Sequence, residues 1–299
     1  MKFCLIYNKN SSSQNQLKFI SKIYDKIKKN YFIDFFQTKT EKEASDIIKD
    51  LKKNKYNRLI LAGGDGTVSF AINELIKNNY VLSKNFAIGY IPVGTANILK
   101  SELKIHYKIN HIVTTLTSNN IKKANLIKIN GKFFLLMASF GWDAQIVQSI
   151  KSPIKKILGK IIFIIKGFQK FILMKNNKFK VLLNGEEIYA DWVICCNSRY
   201  YAGNYSINNT NIFEERIVTF IVKDFTRIKL LYYIYVILFY GDLSIAKGVI
   251  SSTSSSISFE KQFTNIPAQV DGDYLGSFNK VNIETTNKKI NLIYGKIED

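Results

Sequence analysis

The chain has 299 residues, 46% of them apolar and 13% aromatic, with 22% charged residues and a net charge of +20. Such a composition buries enough apolar surface to offset chain entropy, which excludes collagen-like, coiled-coil and wholly disordered character, and the length suggests about two domains of roughly 150 residues each. The positive field favours an anionic partner such as a membrane surface, a nucleotide or a nucleic acid, without choosing among them.

The first third alternates short apolar runs with helical periods. Phe3–Tyr7 reads as a strand, Gln14 to about Lys29 as a helix, Phe32–Gln37 as a strand and Glu41 to about Lys53 as a helix. Leu59–Ala62, a helix over Val68–Asn78, the strand Ala87–Ile91 and the helical run Ile98–Leu103 follow. Repeated βα units at this spacing predict a Rossmann-like parallel sheet covered by helices on both faces. From about Asn125 the texture changes to strands separated by turn dipeptides. These are Leu126–Ile129, Asn130-Gly131, Phe133–Ala138, Lys178–Leu183, Asn184-Gly185, Ile188–Cys195 and Ile217–Val222. Hairpin turns between alternating strands predict a mainly antiparallel β-sandwich. The expected organisation is therefore an α/β domain over 1–124 and a mainly β domain over 125–299. The tract Ser251–Ser256 is read as a loop or a solvent-facing strand edge.

Only Arg58, Arg199, Arg216 and Arg227 are arginines, whereas bidentate recognition of phosphate or bases favours Arg, so much of the charge is read as solvated lysine and no nucleic-acid partner is expected. The odd cysteine set Cys4, Cys195 and Cys196 lacks metal-ligand spacing and fits a reducing, cytoplasmic compartment. The start, through Asn8-Lys9-Asn10, is shaped like a first strand and not like a signal peptide. The apolar runs Leu230–Tyr240 and Ile161–Ile165 are too short to span a bilayer, which leaves a soluble or peripheral protein.

Three motifs carry chemistry. Gly63-Gly64-Asp65-Gly66-Thr67 lies between an apolar strand and a helix. Its glycines let backbone N–H groups approach an anion, and the helix that follows adds its positive dipole end. A carboxylate beside phosphates is repulsive unless a cation lies between, so Asp65 suggests Mg²⁺; as a plain turn, the same aspartate would cap the helix. Neither a Walker A motif nor GxGxxG is present. Gly94-Thr95-Ala96-Asn97 follows a later strand, where a loop at the carboxyl end of a neighbouring parallel strand lines the same crevice, although alone it is ordinary turn chemistry. Gln269-Val270-Asp271-Gly272-Asp273 reads alone as a hairpin turn, and in a phosphotransferase one of its acids would take a hydroxyl proton.

Together with Phe140-Gly-Trp-Asp-Ala144 and Asn197-Ser-Arg-Tyr-Tyr-Ala-Gly203, in this order and spacing, these motifs resemble the diacylglycerol kinase catalytic family, which includes soluble bacterial lipid kinases and sphingosine kinases. The resemblance covers nearly the whole chain. It implies an α/β nucleotide domain, a β-sandwich and an active site in the cleft between them. It also implies an ATP-dependent kinase acting on a lipid hydroxyl, with diacylglycerol to phosphatidic acid as the leading pair. Gly63, Gly64, Asp65, Gly66 and Thr67 are implied to bind ATP phosphates and Mg²⁺, with Gly94, Thr95 and Asn97 in the same nucleotide site. Asn8 and Thr38 match nucleotide-contacting positions less closely. Asp273 stands where the family carries its general base, one methylene shorter.

The sequence departs from the family in three places. Ser69-Phe70 replace an Asn-Glu pair, so a carboxylate that would assist Mg²⁺ or substrate is missing unless Glu74, one turn further along, substitutes. The stretch that holds a structural Mg²⁺ in some members reads Asn208–Glu215, with only Glu214 and Glu215 charged, so that site is expected to be weak or absent. Ile98-Leu99 stand where many members have Asp-Phe. Lys151–Lys175, basic and apolar, either lies at an anionic membrane interface or packs against the β domain. An NAD kinase-like phosphotransferase and a lipid-binding protein without catalysis remain as alternative readings. His106 and His111 are expected at the surface.

Overall fold

The computed structural model describes residues 1–9, 13–79, 86–150, 161–173, 178–183, 185–260 and 265–295. The chain forms two compact units, one of residues up to Ala124 together with the chain from Lys289 on, the other of Asn125–Lys288.

The first unit runs β1 (Lys2–Asn8), α1 (Gln14–Lys28), β2 (Phe32–Thr38), α2 (Glu41–Asp50), β3 (Arg58–Gly63), α3 (Asp65–Lys77), β4 (Ala87–Pro92), α4 (Ile98–Glu102) and α5 (Ile109–Thr117). The strand order is β2-β1-β3-β4, with every pair parallel. Strands β3 and β4 are buried along their whole length, as a sheet covered on both faces requires, and apart from Arg58 at the start of β3 they carry no charge. Helix α1 starts on a capping box: the Ser13 hydroxyl accepts from the Gln16 N–H and the Gln16 side chain accepts from the Ser13 N–H. Its buried stripe is Ile20, Ile23 and Ile27, the i, i+3, i+7 pattern of one helix face.

The second unit is built on two antiparallel sheets. One combines β5 (Ile121–Ile129), which begins at the boundary between the units, with β6 (Lys132–Phe134), β8 (Phe179–Leu183), β9 (Glu186–Ala190), β15 (Ser256–Glu260) and the first part of β18 (Lys280–Ile293). The other has the order β14-β13-β10-β7-β16-β17, formed by β7 (Met137–Phe140), β10 (Trp192–Cys196), β13 (Ile217–Val222), β14 (Val249–Ser254), β16 (Ile266–Val270) and β17 (Asp273–Phe278). A small ribbon, β11 (Tyr200–Tyr201) with β12 (Tyr205–Ser206), stands apart from both. A core of Ile127, Phe134, Phe140, Val181, Phe259 and Ala268, among others, draws side chains from both sheets, as in a β-sandwich. Among the described residues of this unit three α-helices appear: α6 (Trp142–Gln148), α7 (Ile161–Ile172) and α8 (Arg227–Tyr240). Ser251 and Thr253 lie exposed on β14, an edge strand of the second sheet.

Two runs that read as single strands are each divided between the sheets. Phe133–Ala138 breaks at Leu135-Leu136, where three successive N–H groups, from Leu135, Leu136 and Met137, donate to the buried carboxylate of Asp271 at 3.1, 2.8 and 3.1 Å. Ile188–Cys195 breaks at Asp191, whose own N–H donates to Val222 and whose carboxylate accepts from Phe225 N–H at 3.0 Å. At the first break the aspartate receives backbone donors that leave one ladder before joining the next, and at the second the aspartate itself stands at the break. The end of the chain differs from expectation as well. From Lys289 on it belongs to the first unit, where Leu292 pairs in parallel with Ile88 of β4. His111 is buried on α5, not at the surface, and its Nδ1 accepts from the His106 N–H.

Because Asp271 is the shared acceptor for three amides, Asp271→Ala should lower the unfolding free energy by about 3 kcal/mol in urea titrations. A loss below about 1 kcal/mol would mean that these amides find other partners.

Candidate active site

In the first unit the sequence-predicted residues gather at one edge of the parallel sheet. Asn8 and Thr38 are the last residues of β1 and β2 and lie side by side in register, and Gly63 ends β3 opposite Pro92 at the end of β4. Ligands of open α/β sheets bind outside the carboxyl ends of the strands, where the strand order reverses. Here β1 has β2 on one side and β3 on the other, so the loops after β1 and β3 flank such a switch point.

The two glycine loops touch through their backbones. A Cβ on Gly94 would overlap the Cα of Gly64, and one on Gly63 would overlap the Thr67 side chain. Only glycine permits this approach. The Val93 N–H donates to the Gly63 carbonyl at 3.0 Å, and Gln16 Nε2 donates to the Val93 carbonyl at 2.8 Å, so the first turn of α1 holds the same loop.

Asp65 joins the loops. It is buried, and its two carboxylate oxygens accept from the Ile98 and Leu99 N–H groups at 2.9 and 3.0 Å, the first amides of α4. A carboxylate at a helix N-terminus is favoured by both the orphan donors and the dipole. Asn97, in the left-handed conformation with φ 52°, accepts from Gly94 N–H and Tyr90 O–H, both at 2.9 Å, and donates to the Gly94 carbonyl. Burial, and then the neighbouring Asp65, push the Tyr90 hydroxyl well above its ordinary value, so it remains a donor. The half-buried Gly64, Gly66 and Thr67 stand at the start of the 13-residue α3, whose dipole end faces the same edge.

Other predicted residues take different places. Thr38 is 2% exposed and its hydroxyl donates to the Tyr7 carbonyl, so it braces the strand ends and offers no surface to a ligand. Glu74 does not stand in for a carboxylate near Asp65: it lies nine residues along α3, about 13 Å at 1.5 Å per residue, and accepts from Ser45 of α2. Among the described residues no group of three His, Cys, Asp or Glu side chains is placed to hold a metal. Within Asn208–Glu215 the polar groups bond one another: Asn211 donates to Glu214, which also pairs with Arg216.

In the second unit Asp271 and Gly272, with φ 50° and 84°, form the two-residue turn of the β16–β17 hairpin. Positive φ at both central positions is the type I′ geometry that favours Asp-Gly. The turn is fixed from below by the amide bonds to Asp271, and Asp273, first residue of β17, stands exposed beside it. Gln269 ties the same turn to a buried polar network that the sequence did not announce. Gly272 N–H donates to Gln269 Oε1 at 2.9 Å, Gln269 Nε2 donates to Ser139 Oγ at 2.7 Å, and Ser139 donates to Asp143 at 2.6 Å. Asp143 also accepts from Trp192 Nε1, Tyr201 O–H and Ala144 N–H. Burial raises its carboxyl above the usual range, and these four donors oppose that shift. The three motifs of the second unit thus meet at one carboxylate. Ser139 and Trp192 carry no local sequence signal for this role.

The first unit is an α/β domain with two glycine loops in backbone contact at the carboxyl edge of its sheet. Residues 2–129 match the model of the diacylglycerol kinase catalytic domain, and over most of its length the chain is similar to bacterial diacylglycerol kinases. It is 24% identical over 277 residues to the diacylglycerol kinase of Staphylococcus carnosus, covering 91% of this chain and 88% of that one. It is also 24% identical over 287 residues to the diacylglycerol kinase of Staphylococcus aureus, covering 94% and 89%. Its fold matches a solved structure from Bacillus anthracis str. Sterne with a TM-score of 0.79 at 23% identity, over 98% of this chain and 95% of that one.

Gly94→Ala forces the two glycine loops apart and should raise the dissociation constant for ATP at least about tenfold, measured by calorimetry. An unchanged constant would mean that the loops do not shape the nucleotide site.

Proposed function

We propose that the protein is an ATP- and Mg²⁺-dependent lipid kinase that transfers the γ-phosphate to a lipid hydroxyl, with diacylglycerol to phosphatidic acid as the leading pair. The observation that carries this reading is the cradle in which Gly64 and Gly94 meet, at the head of α3 and on the carboxyl edge of the sheet. Backbone N–H groups at the start of α3, with no side chain intervening at Gly64 and Gly66, suit the phosphate oxygens, and Asn8 and Thr95 flank them.

The donor set fits a magnesium ion shared with phosphates better than one in a protein cage. Asp65 is a single carboxylate whose oxygens accept backbone N–H groups, so it could hold an ion only together with oxygens from phosphate. Asp65 is the residue that would hold the ion, which when bound neutralises charge on the transferring phosphoryl group. The chain's own work is placement. The loops hold the phosphates still, and the Asp273 carboxylate accepts the proton of the lipid hydroxyl as its oxygen bonds to the γ-phosphorus and the bond to the ADP oxygen breaks. An exposed carboxylate on a hairpin anchored by Asp271 and Gln269 suits a base that meets its substrate from outside. The acceptor lies in a bilayer, so the reading also requires peripheral contact with an anionic membrane. Of the segment 151–175 named for that contact in the sequence, 151–160 and 174–175 lie outside the described residues. Among the described residues no helix is long and apolar enough to cross a membrane.

An assay with γ-labelled ATP and either diacylglycerol or a mixed lipid extract should yield labelled lipid. Asp273→Asn should lower kcat by about 10²-fold or more while leaving ATP affinity and the melting midpoint unchanged. A fully active Asp273→Asn enzyme would place the base elsewhere. Asp65→Ala should abolish transfer and, because Asp65 caps α4, also cost about 1–2 kcal/mol of stability in denaturant titrations.

A further inference from the structure

Helix α8 has an unusual outer face. Its inner face buries Leu230, Tyr233 and Val236. On a surface helix the opposite face is normally charged or polar. Here Ile228, Leu231, Tyr235, Leu238 and Phe239, at spacings i, i+3, i+7, i+10 and i+11, form an exposed apolar stripe, with Ile228 81% and Phe239 73% exposed. From Leu230 to Tyr240 there is no charged residue at all. A helix apolar all round usually belongs in a core or across a bilayer. At 14 residues, about 21 Å, α8 is too short to span roughly 30 Å of hydrocarbon.

A second exposed apolar surface is tied to it. Arg227, the first residue of α8, donates from Nε to the Phe171 carbonyl at 3.0 Å and from its terminal nitrogen to the Ile172 carbonyl at 2.6 Å, capping the C-terminal end of α7. On α7 and just beyond it Ile165, Phe168, Ile172 and Leu173 are exposed. The charges within the pair have one sign, and of the two nearby acids Asp242, just past α8, accepts from the Ser244 N–H. Neither helix contains an Asp or Glu, while Lys166, Lys170, Arg227 and Lys229 lie within them and Lys223 and Lys247 lie close by in the chain. Asp224, at the approach to α8, is already paired with Lys178.

We propose that the outer faces of α8 and α7 form a docking surface for an anionic lipid bilayer, with α8 lying in the plane of the interface. Apolar side chains enter the acyl boundary, the tyrosines sit at headgroup level with their hydroxyls in water, and the lysines meet anionic headgroups. Charge decides against a second copy of this chain as the occupant, because a two-fold contact would set the same basic residues against one another. The surface is also well placed for the acceptor substrate. Helix α6 packs on β16 and β17, which frame the Asp273 hairpin, and on α7, where the Gly167 position faces Ile146. The inference rests on the lipid-kinase reading for its purpose, although docking itself needs neither ATP nor catalysis.

The test is flotation of the full-length chain with vesicles of pure phosphatidylcholine and of phosphatidylcholine containing phosphatidylglycerol, comparing the wild type with Leu231→Ser/Phe239→Ser. The wild type should float with the anionic vesicles, less so at high salt, and the double variant should bind them at least tenfold more weakly. Its melting midpoint and its transfer of phosphate to a short-chain acceptor in detergent should stay unchanged. Equal flotation of wild type and variant would overturn the proposal. So would a wild-type dimer in light scattering that the variant converts to monomer, since a second copy would then cover the face. If no acceptor is phosphorylated in detergent while the wild type still floats and the variant does not, the kinase reading fails and the docking surface stands.

Discussion

The first unit depends on one carboxylate placed between two loops. Asp65 belongs to the loop after β3, and the N–H groups it accepts belong to the helix after β4. With five residues, α4 is too short to persist by propensity alone and needs an acceptor for its first amides. Asp65 supplies it through two charge-assisted bonds. The same bonds fix the spacing of two glycine loops whose backbones already touch at Gly64 and Gly94. In the proposed role, a phosphate cradle made of backbone is only as accurate as the loops that form it, so the same bracing would serve ligand recognition.

The second unit repeats the device with different geometry. Asp271 gathers three amides where the chain passes from β6 to β7, and Asp143 gathers a serine, a tyrosine, a tryptophan and one amide. A buried carboxylate is expensive unless it is fully hydrogen-bonded, and once satisfied it specifies a single arrangement of its donors. Three of the four motif aspartates thus hold backbone or side chains in place. The fourth, Asp273, stands exposed on the hairpin that two of these networks anchor. Buried aspartates thus organise each unit, and Asp273 differs from them in standing at the surface.

The α/β alternation of the first unit was legible in the sequence because β3 beyond Arg58 and β4 are uncharged, mainly apolar runs and α1 carries both a cap and a clean apolar stripe. The glycine motifs were legible for a similar reason, since close backbone approach leaves a compositional mark. What could not be read was held by partners distant along the chain. Nothing near Leu135 signals a change of sheet, because the acceptor that causes it is Asp271, 136 residues away. Thr38, Glu74 and His111 look accessible in the sequence, yet each is placed by a contact with another element: the Tyr7 carbonyl, Ser45 of α2 and the His106 amide. The outer stripe of α8 was visible as an apolar run, but only the fold decides which of its faces is covered.

The most direct test of the account is a calorimetric titration of the wild-type chain, in the presence of magnesium, with ATP, ADP and AMP. If the braced glycine loops bind the phosphate chain, affinity should fall at each step and by at least about tenfold from ATP to AMP. Equal affinities for the three nucleotides would contradict it, because recognition would then rest on the nucleoside and the cradle between β3 and β4 would have no anion to hold.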